Sequence, residues 1–103
     1  MRRGQYRLNV PDEVAGVVRS LHPELKRKVK SSLQTILEQP EAGKALKDEL
    51  AGLRSFRVGK FRIIYRIASR DRIDLVALGP RVRIYEETYR ILRKEGGEKV
   101  KKK

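Results

Sequence analysis

The chain contains no cysteine and no tryptophan, and one histidine and one methionine among its 103 residues. Without cysteine it forms no disulfide, holds no metal through thiolates and offers no thiol nucleophile. The lone histidine, His22, stands before Pro23, where an exposed turn residue is a simpler reading than a catalyst. No apolar run is long enough to span a bilayer. Gln5, Arg7 and Asn9 interrupt the segment after Met1-Arg2-Arg3, so it does not read as a signal peptide. A cytoplasmic protein with no membrane partner is therefore expected. The acidic pairs Asp12-Glu13, Asp48-Glu49 and Glu86-Glu87 do not compose a two-metal nuclease site. There is no phosphate-binding glycine loop either, and neither a metal nor a small-molecule cofactor is expected.

What the chain has in excess is positive charge. Lys and Arg number 26 against 13 acidic residues, a formal net charge of +13. Residues 1–50 hold 10 basic and 7 acidic residues, a net of +3, whereas residues 51–103 hold 16 and 6, a net of +10. Self-repulsion of this size raises the energy of a compact state and points to an anionic partner. Nucleic acid, an anionic surface and an acidic protein are the classes to weigh.

The length suits one domain, expected over residues 1–95, with 96–103 as a charged, disordered tail. Gln5 to Val10 alternates as a half-buried strand. Pro11-Asp12-Glu13 starts a short helix, broken at His22-Pro23, and a second runs from about Pro23 to Gln39 with Leu25, Val29, Leu33, Ile36 and Leu37 as its apolar stripe. So closely linked, the two should form an antiparallel hairpin. Residues 40–53 read as a connection with one helical turn. Arg54 to Val58, the turn Gly59-Lys60 and Phe61 to Ala68 read as a β-hairpin with a II′ turn, followed by a strand from Ile73 to Gly79. Ile84 to Leu92 is a short amphipathic helix that Gly96-Gly97 should end. The order β-α-α-β-β-β-α predicts an α+β fold: a small antiparallel sheet with the helical hairpin on one face, and a short C-terminal helix.

If Gly59-Lys60 is the whole turn, Val58 faces Phe61, Arg57 faces Arg62 and Phe56 faces Ile63. Phe56, Val58, Phe61, Ile63 and Tyr65 then form the core side, and the other face carries Arg57 and Arg62 across from each other, with Arg66 further along. Like charges directly opposite destabilise a sheet, so this pairing implies a bound anion. A solvated polar face would need no such repulsion, and no glutamate lies between Arg54 and Ala68. A tight second turn would put Gly79 near Arg62, with room for Arg81 and Tyr85 to converge. Guanidiniums there can clamp phosphate oxygens and stabilise growing charge, and a phenol can orient a ribose hydroxyl or stack on a base.

From Tyr6 to Ile91 the chain resembles the RelE/ParE toxin superfamily. The resemblance is most specific in Phe56-Arg57-Val58-Gly59-Lys60-Phe61-Arg62-Ile63-Ile64-Tyr65-Arg66-Ile67 and in Gly79-Pro80-Arg81-Val82-Arg83-Ile84-Tyr85. It implies a toxin of a toxin–antitoxin system and, for RelE-type members, metal-independent cleavage of messenger RNA in the ribosomal A site by attack of the 2′-hydroxyl on the adjacent phosphate. In that reading Arg62 is the transition-state arginine. Arg81 is the second arginine, stabilising charge or protonating the leaving group, and Tyr85 stacks on or orients the substrate. Arg57 stands where such toxins carry a basic residue, and Arg54, Lys60, Arg66 and Arg83 are expected to contact RNA. The implied partners are messenger RNA on the ribosome and an acidic antitoxin. Two departures stand out: Ser55 and Arg57 replace a lysine pair of the family prototype, and Pro80 stands where relatives often have a basic residue or histidine. Arginine is a poor general base because it stays protonated. The alternatives are a ParE-like inhibitor of DNA gyrase on the same fold and a non-catalytic module that binds RNA or ribosomes.

Overall fold

The computed structural model describes residues 6–100. Strand β1 (Arg7–Asn9) leads into helices α1 (Asp12–Arg19) and α2 (Pro23–Glu38). Asp12 and Glu13 occupy the first turn of α1, where the helix dipole favours acids. Pro23 takes the first position of α2, and the exposed His22 is its N-cap, with Nδ1 accepting from the Glu24 amide at 3.5 Å. The histidine thus serves a helix start, as the turn reading implied.

The connection after α2 is more structured than the single helical turn expected. Two 3-10 turns, Pro40–Ala42 and Asp48–Leu50, flank a two-residue strand β2 (Lys44–Ala45). Strands β3 (Arg54–Val58), β4 (Phe61–Ser69) and β5 (Arg72–Pro80) follow, then helix α3 (Arg81–Val100). The strand order is β1-β5-β4-β3-β2. All pairs are antiparallel except β1 with β5, which is parallel. The expected all-antiparallel sheet is corrected at that one edge. A parallel pair needs a long crossover, and the helical hairpin with the strands after it supplies one.

The β3–β4 register is the one the turn predicts: Val58 with Phe61, Arg57 with Arg62, Phe56 with Ile63. Gly59 has φ +62° while Lys60 does not have positive φ, which is the II′ pattern. Between β4 and β5 the register shifts at Ile64/Tyr65, so Val76 is the extra residue of a bulge.

Two apolar clusters hold the sheet. On one face Val58, Ile63, Tyr65, Ile73, Leu75 and Leu78 pack with Val14, Val29 and Ile36 of the helical hairpin, and Phe56 and Phe61 lie against them. On the other, Leu53, Ile64 and Ala77 pack under Ile84 of α3. Ile36, Ile63, Ile64 and Ile84 are fully buried, each worth about 1.5–3 kcal/mol of transfer free energy. Gly79 lets α3 come this close, because a Cβ there would sit 3.2 Å from Ile84 Cδ1.

The C-terminal helix is longer than expected. It starts directly after Pro80 and passes through Gly96-Gly97 to Val100. A mid-helix glycine costs about 1 kcal/mol relative to alanine, which weakens a helix without ending it unless the chain turns away. Lys101 to Lys103 of the expected tail lie outside the described residues. Among the described residues no helix is long and apolar enough to cross a membrane.

Candidate phosphate-binding site

The alternation that buries Phe56 and Val58 turns Ser55 and Arg57 to the opposite face of β3, and the hairpin register adds Arg62 of β4 to them. Arg62 also pairs with Gly79 of β5, so on that side no side chain stands between it and α3. The amide of Arg81 donates to the Lys60 carbonyl at 2.8 Å, which latches the start of α3 to the hairpin turn. Pro80, lacking an amide proton, closes β5 opposite Phe61 and leaves that bond to Arg81. From this latch, Arg81 and Tyr85 lie one helical turn apart on one side of α3.

Ser55 joins these parts. Its side chain is buried, with 1% relative exposure, and its Oγ accepts from Arg62 Nη1 at 3.0 Å. The same Oγ shares a hydrogen bond with Tyr85 Oη at 3.1 Å, and the Tyr85 ring rests on the cluster of Leu53, Ile64, Ala77 and Ile84. A cation from the sheet and a phenol from the helix therefore meet at one hydroxyl.

The cluster is short of negative charge. Among the described residues the ion pairs are Arg66–Asp74, Arg72–Asp74 and Arg90–Glu86, and none involves Arg57, Arg62 or Arg81. Arg62 Nε is buried and has no hydrogen-bond partner among the described residues. Arg57 is exposed and bends toward the turn, with Nε 3.4 Å from the Gly59 carbonyl. A buried, unpaired donor on a permanent cation is costly and rare in folded proteins. Arg62 is also the cross-strand partner of a second arginine, Arg57, and an anion between the two would offset both charges. No group of three or more His, Cys, Asp or Glu suited to a metal occurs among the described residues.

The structure links Arg62 and Tyr85 through Ser55, and brings the backbone of Arg57, Lys60 and Arg81 to the same end of the hairpin. Three expected contacts fall elsewhere. Arg54 pairs with Tyr65 on the helical-hairpin side of the sheet, and its Nη1 donates to the Gly43 carbonyl at 2.7 Å and the Glu41 carbonyl at 3.4 Å. Three positions separate Arg54 from Arg57, and strand alternation puts such residues on opposite faces. Arg66 shares the face of Arg62 but is 3.6 Å from Asp74, a carboxylate that also takes Arg72 Nε at 3.1 Å. Arg83 is two residues from Tyr85 and so projects from another side of α3. A cavity of about 220 Å³ is lined by Arg66, Asp74, Val76 and Leu92 among others, but by none of the cluster residues.

Two residues here were not among the expected site residues. Ser55 could have been, because the hairpin register alone places it on the arginine face. Lys44 could not: it reaches that face only by pairing with Ser55 through β2, a strand too short to read. Tyr65, from the other face, secures the approach to β2, donating to the Pro40 carbonyl at 2.6 Å and accepting from the Gly43 amide at 2.8 Å. Burial pushes the Tyr65 phenol pKa up, against a smaller lowering by the Gly43 amide and by Arg54.

Fold and site together define a small basic α+β domain with an arginine–tyrosine cluster where a hairpin meets a C-terminal helix. Residues 19–85 match the family model described as the ParE toxin of the type II toxin–antitoxin system parDE, and the chain belongs to this RelE/ParE toxin family. The match spans Ser55, Arg57, Arg62, Arg81 and Tyr85. Among solved structures, the chain is similar to one in the RelBE2 toxin–antitoxin complex of Mycobacterium tuberculosis, with 25% identity over 75% of this chain and 99% of that one and a TM-score of 0.66. It is also similar to one in the RelE–RelB complex of the archaeon Pyrococcus horikoshii, with 26% identity over 77% and 98% and a TM-score of 0.63. A free Escherichia coli RelE variant shares the fold, with a TM-score of 0.70 at 20% identity over 88% and 97%. No curated protein matches the sequence.

Proposed function

We propose that this toxin is a metal-independent endoribonuclease that cleaves messenger RNA in the ribosomal A site. The observation that carries the reading is Arg62: it lies opposite a second guanidinium, is held by Ser55 beside the Tyr85 phenol, and keeps a buried Nε unpartnered. In the reaction the ribose 2′-oxygen bonds to the adjacent phosphorus while the bond from phosphorus to the 5′-oxygen breaks. The products are a 2′,3′-cyclic phosphate and a 5′-hydroxyl, and the proton lost by the 2′-hydroxyl is balanced by one gained at the 5′-oxygen. Arg62 and Arg57 bind the non-bridging oxygens, whose charge grows in the transition state, and Arg81 stabilises the departing oxygen. Tyr85 orients the nucleotide. Arg57 is not the base, because a guanidinium stays protonated.

The decisive experiment supplies purified ribosomes, stalled on a defined message with an empty A site, with toxin pretreated with a chelator. Cleavage at the A-site codon leaving a cyclic phosphate is expected; an intact message overturns the reading. An acidic antitoxin is the expected protein partner, given the net charge of +13 and the antitoxin complexes in which similar chains occur. The ParE description of the matching family favours a second reading, inhibition of DNA gyrase without RNA cleavage. A supercoiling assay responds only under that one.

A further inference from the structure

A serine buried in a strand satisfies its hydroxyl most simply with a nearby backbone group. Ser55 does not: both of its partners are side chains, Arg62 seven residues away and Tyr85 thirty. Each partner has freedom that this hydroxyl removes. The Arg62 guanidinium can rotate about its terminal bonds, and a bond from Nη1 to Ser55 fixes its plane. With Nη1 engaged, the donors left for a ligand are those on the two terminal nitrogens that Ser55 does not take. The Tyr85 ring rests on apolar side chains that limit its tilt but not the position of its hydroxyl, and Ser55 supplies that second point.

We propose that Ser55 is a positioning residue, which sets the Arg62 guanidinium and the Tyr85 phenol at a fixed separation so that one takes the phosphate while the other takes the adjoining nucleotide. This rests on the endoribonuclease reading. At 1% exposure Ser55 acts through its two neighbours, without touching RNA. Lysine or arginine in its place would add a cation but remove the link between sheet and helix.

The test compares Ser55→Ala with Ser55→Thr, which keeps the hydroxyl and suits a strand. Ser55→Ala is expected to lower kcat about 10- to 100-fold, the scale of a small misplacement of reacting groups, with KM nearly unchanged. Ser55→Thr should recover most of the loss. The losses from Arg62→Ala and Tyr85→Phe should be coupled when Ser55 is present and simply multiply in the Ser55→Ala background. A Ser55→Ala kcat within about twofold of wild type, or coupling that survives without the hydroxyl, overturns the proposal. An activity-free measurement separates it from the nuclease reading. In nitrogen-15 spectra at low temperature, the two Nη groups of Arg62 should be distinct in the wild type and averaged in Ser55→Ala. Free rotation in the wild type overturns the positioning role whether or not RNA is cut. Absence of cleavage by the wild type, with rotation still restricted, overturns the nuclease reading alone.

Discussion

Replacing Arg57 by glutamine should make the domain more stable and the toxin less active. Arg57 and Arg62 are direct cross-strand partners on the same face, and neither has an acidic partner among the described residues. Opposed like charges on a sheet cost about 0.2–1 kcal/mol. Coulomb's law gives a similar figure: charges about 6 Å apart in water repel by about 0.7 kcal/mol. The water limit is the relevant one because Arg57 is exposed. Its only side-chain hydrogen bond among the described residues, 3.4 Å to the Gly59 carbonyl, is long and at the surface, so losing it offsets little. Arg57→Gln should therefore gain about 0.5 kcal/mol, a rise in Tm of about 2–4 °C for a domain of this size.

The salt dependence identifies the cause. The Debye length falls from about 10 Å at 0.1 M to about 3 Å at 1 M, so the gain should be largest in dilute buffer and nearly vanish at 1 M. Urea titrations of wild type and variant at both salt concentrations measure it, read as a midpoint shift at constant slope. Cleavage should fall in the same variant. A variant that is less stable than wild type in low salt, or a gain that persists at 1 M, would refute the argument that the cluster holds unrelieved repulsion.

Arg62→Ala and Arg81→Ala should each lower kcat by about 10²–10³-fold, the cost of removing a preorganised charge stabiliser, with far-ultraviolet circular dichroism unchanged. Tyr65→Phe should destabilise the domain by about 2–4 kcal/mol in urea titrations, because the Pro40 carbonyl and Gly43 amide both lose their buried partner. Since burial raises the folded-state pKa of Tyr65 above 10.0, its contribution is complete below that pH and is lost as pH rises through the higher folded value. Tyr65→Phe should lack that component of alkaline destabilisation, and an unchanged alkaline profile would count against it. Lys44→Ala should reduce the slope of log affinity against log salt for single-stranded RNA by about 0.7, one phosphate contact, while Lys28→Ala on α2 leaves it unchanged.

How much of this could be read in advance depends on how local each determinant is. The β3–β4 register follows from a two-residue turn that needs positive φ at one position, which Gly59 provides, and five consecutive pairings come with it. The same alternation already put Arg54 on the other face and Ser55 with the arginines, so those two placements were legible. The pairing of β1 with β5 was not: it joins Arg7 to Arg72 across the helical hairpin and most of the sheet, and a three-residue strand carries no marker of direction. Strand β2 is shorter still, and Lys44 enters the site only through it. The bulge at Val76 and the full extent of α3 likewise depend on packing between distant segments. Gly96-Gly97, read as a stop, marks a weak stretch within a longer helix.

The arginine face is not a whole sheet face, and that confines the chemistry. Ile64 lies between Arg62 and Arg66 along β4, and with Leu53, Ala77 and Ile84 it forms the core that binds α3 to the sheet. This apolar block divides the basic residues. Arg66 lies beyond it, with Asp74 as its partner, while Arg57, Arg62 and Arg81 stand at the turn end with no acidic partner among the described residues. Had the positive charge served only solubility, the acidic partner would be as useful at the turn end as at the other. Instead the carboxylate stands where α3, β1 and the sheet must fit together, and among the described residues the cations at the hairpin turn and the start of α3 have no acidic partner. Under the proposed function, an incoming phosphate would relieve the repulsion kept at the turn end.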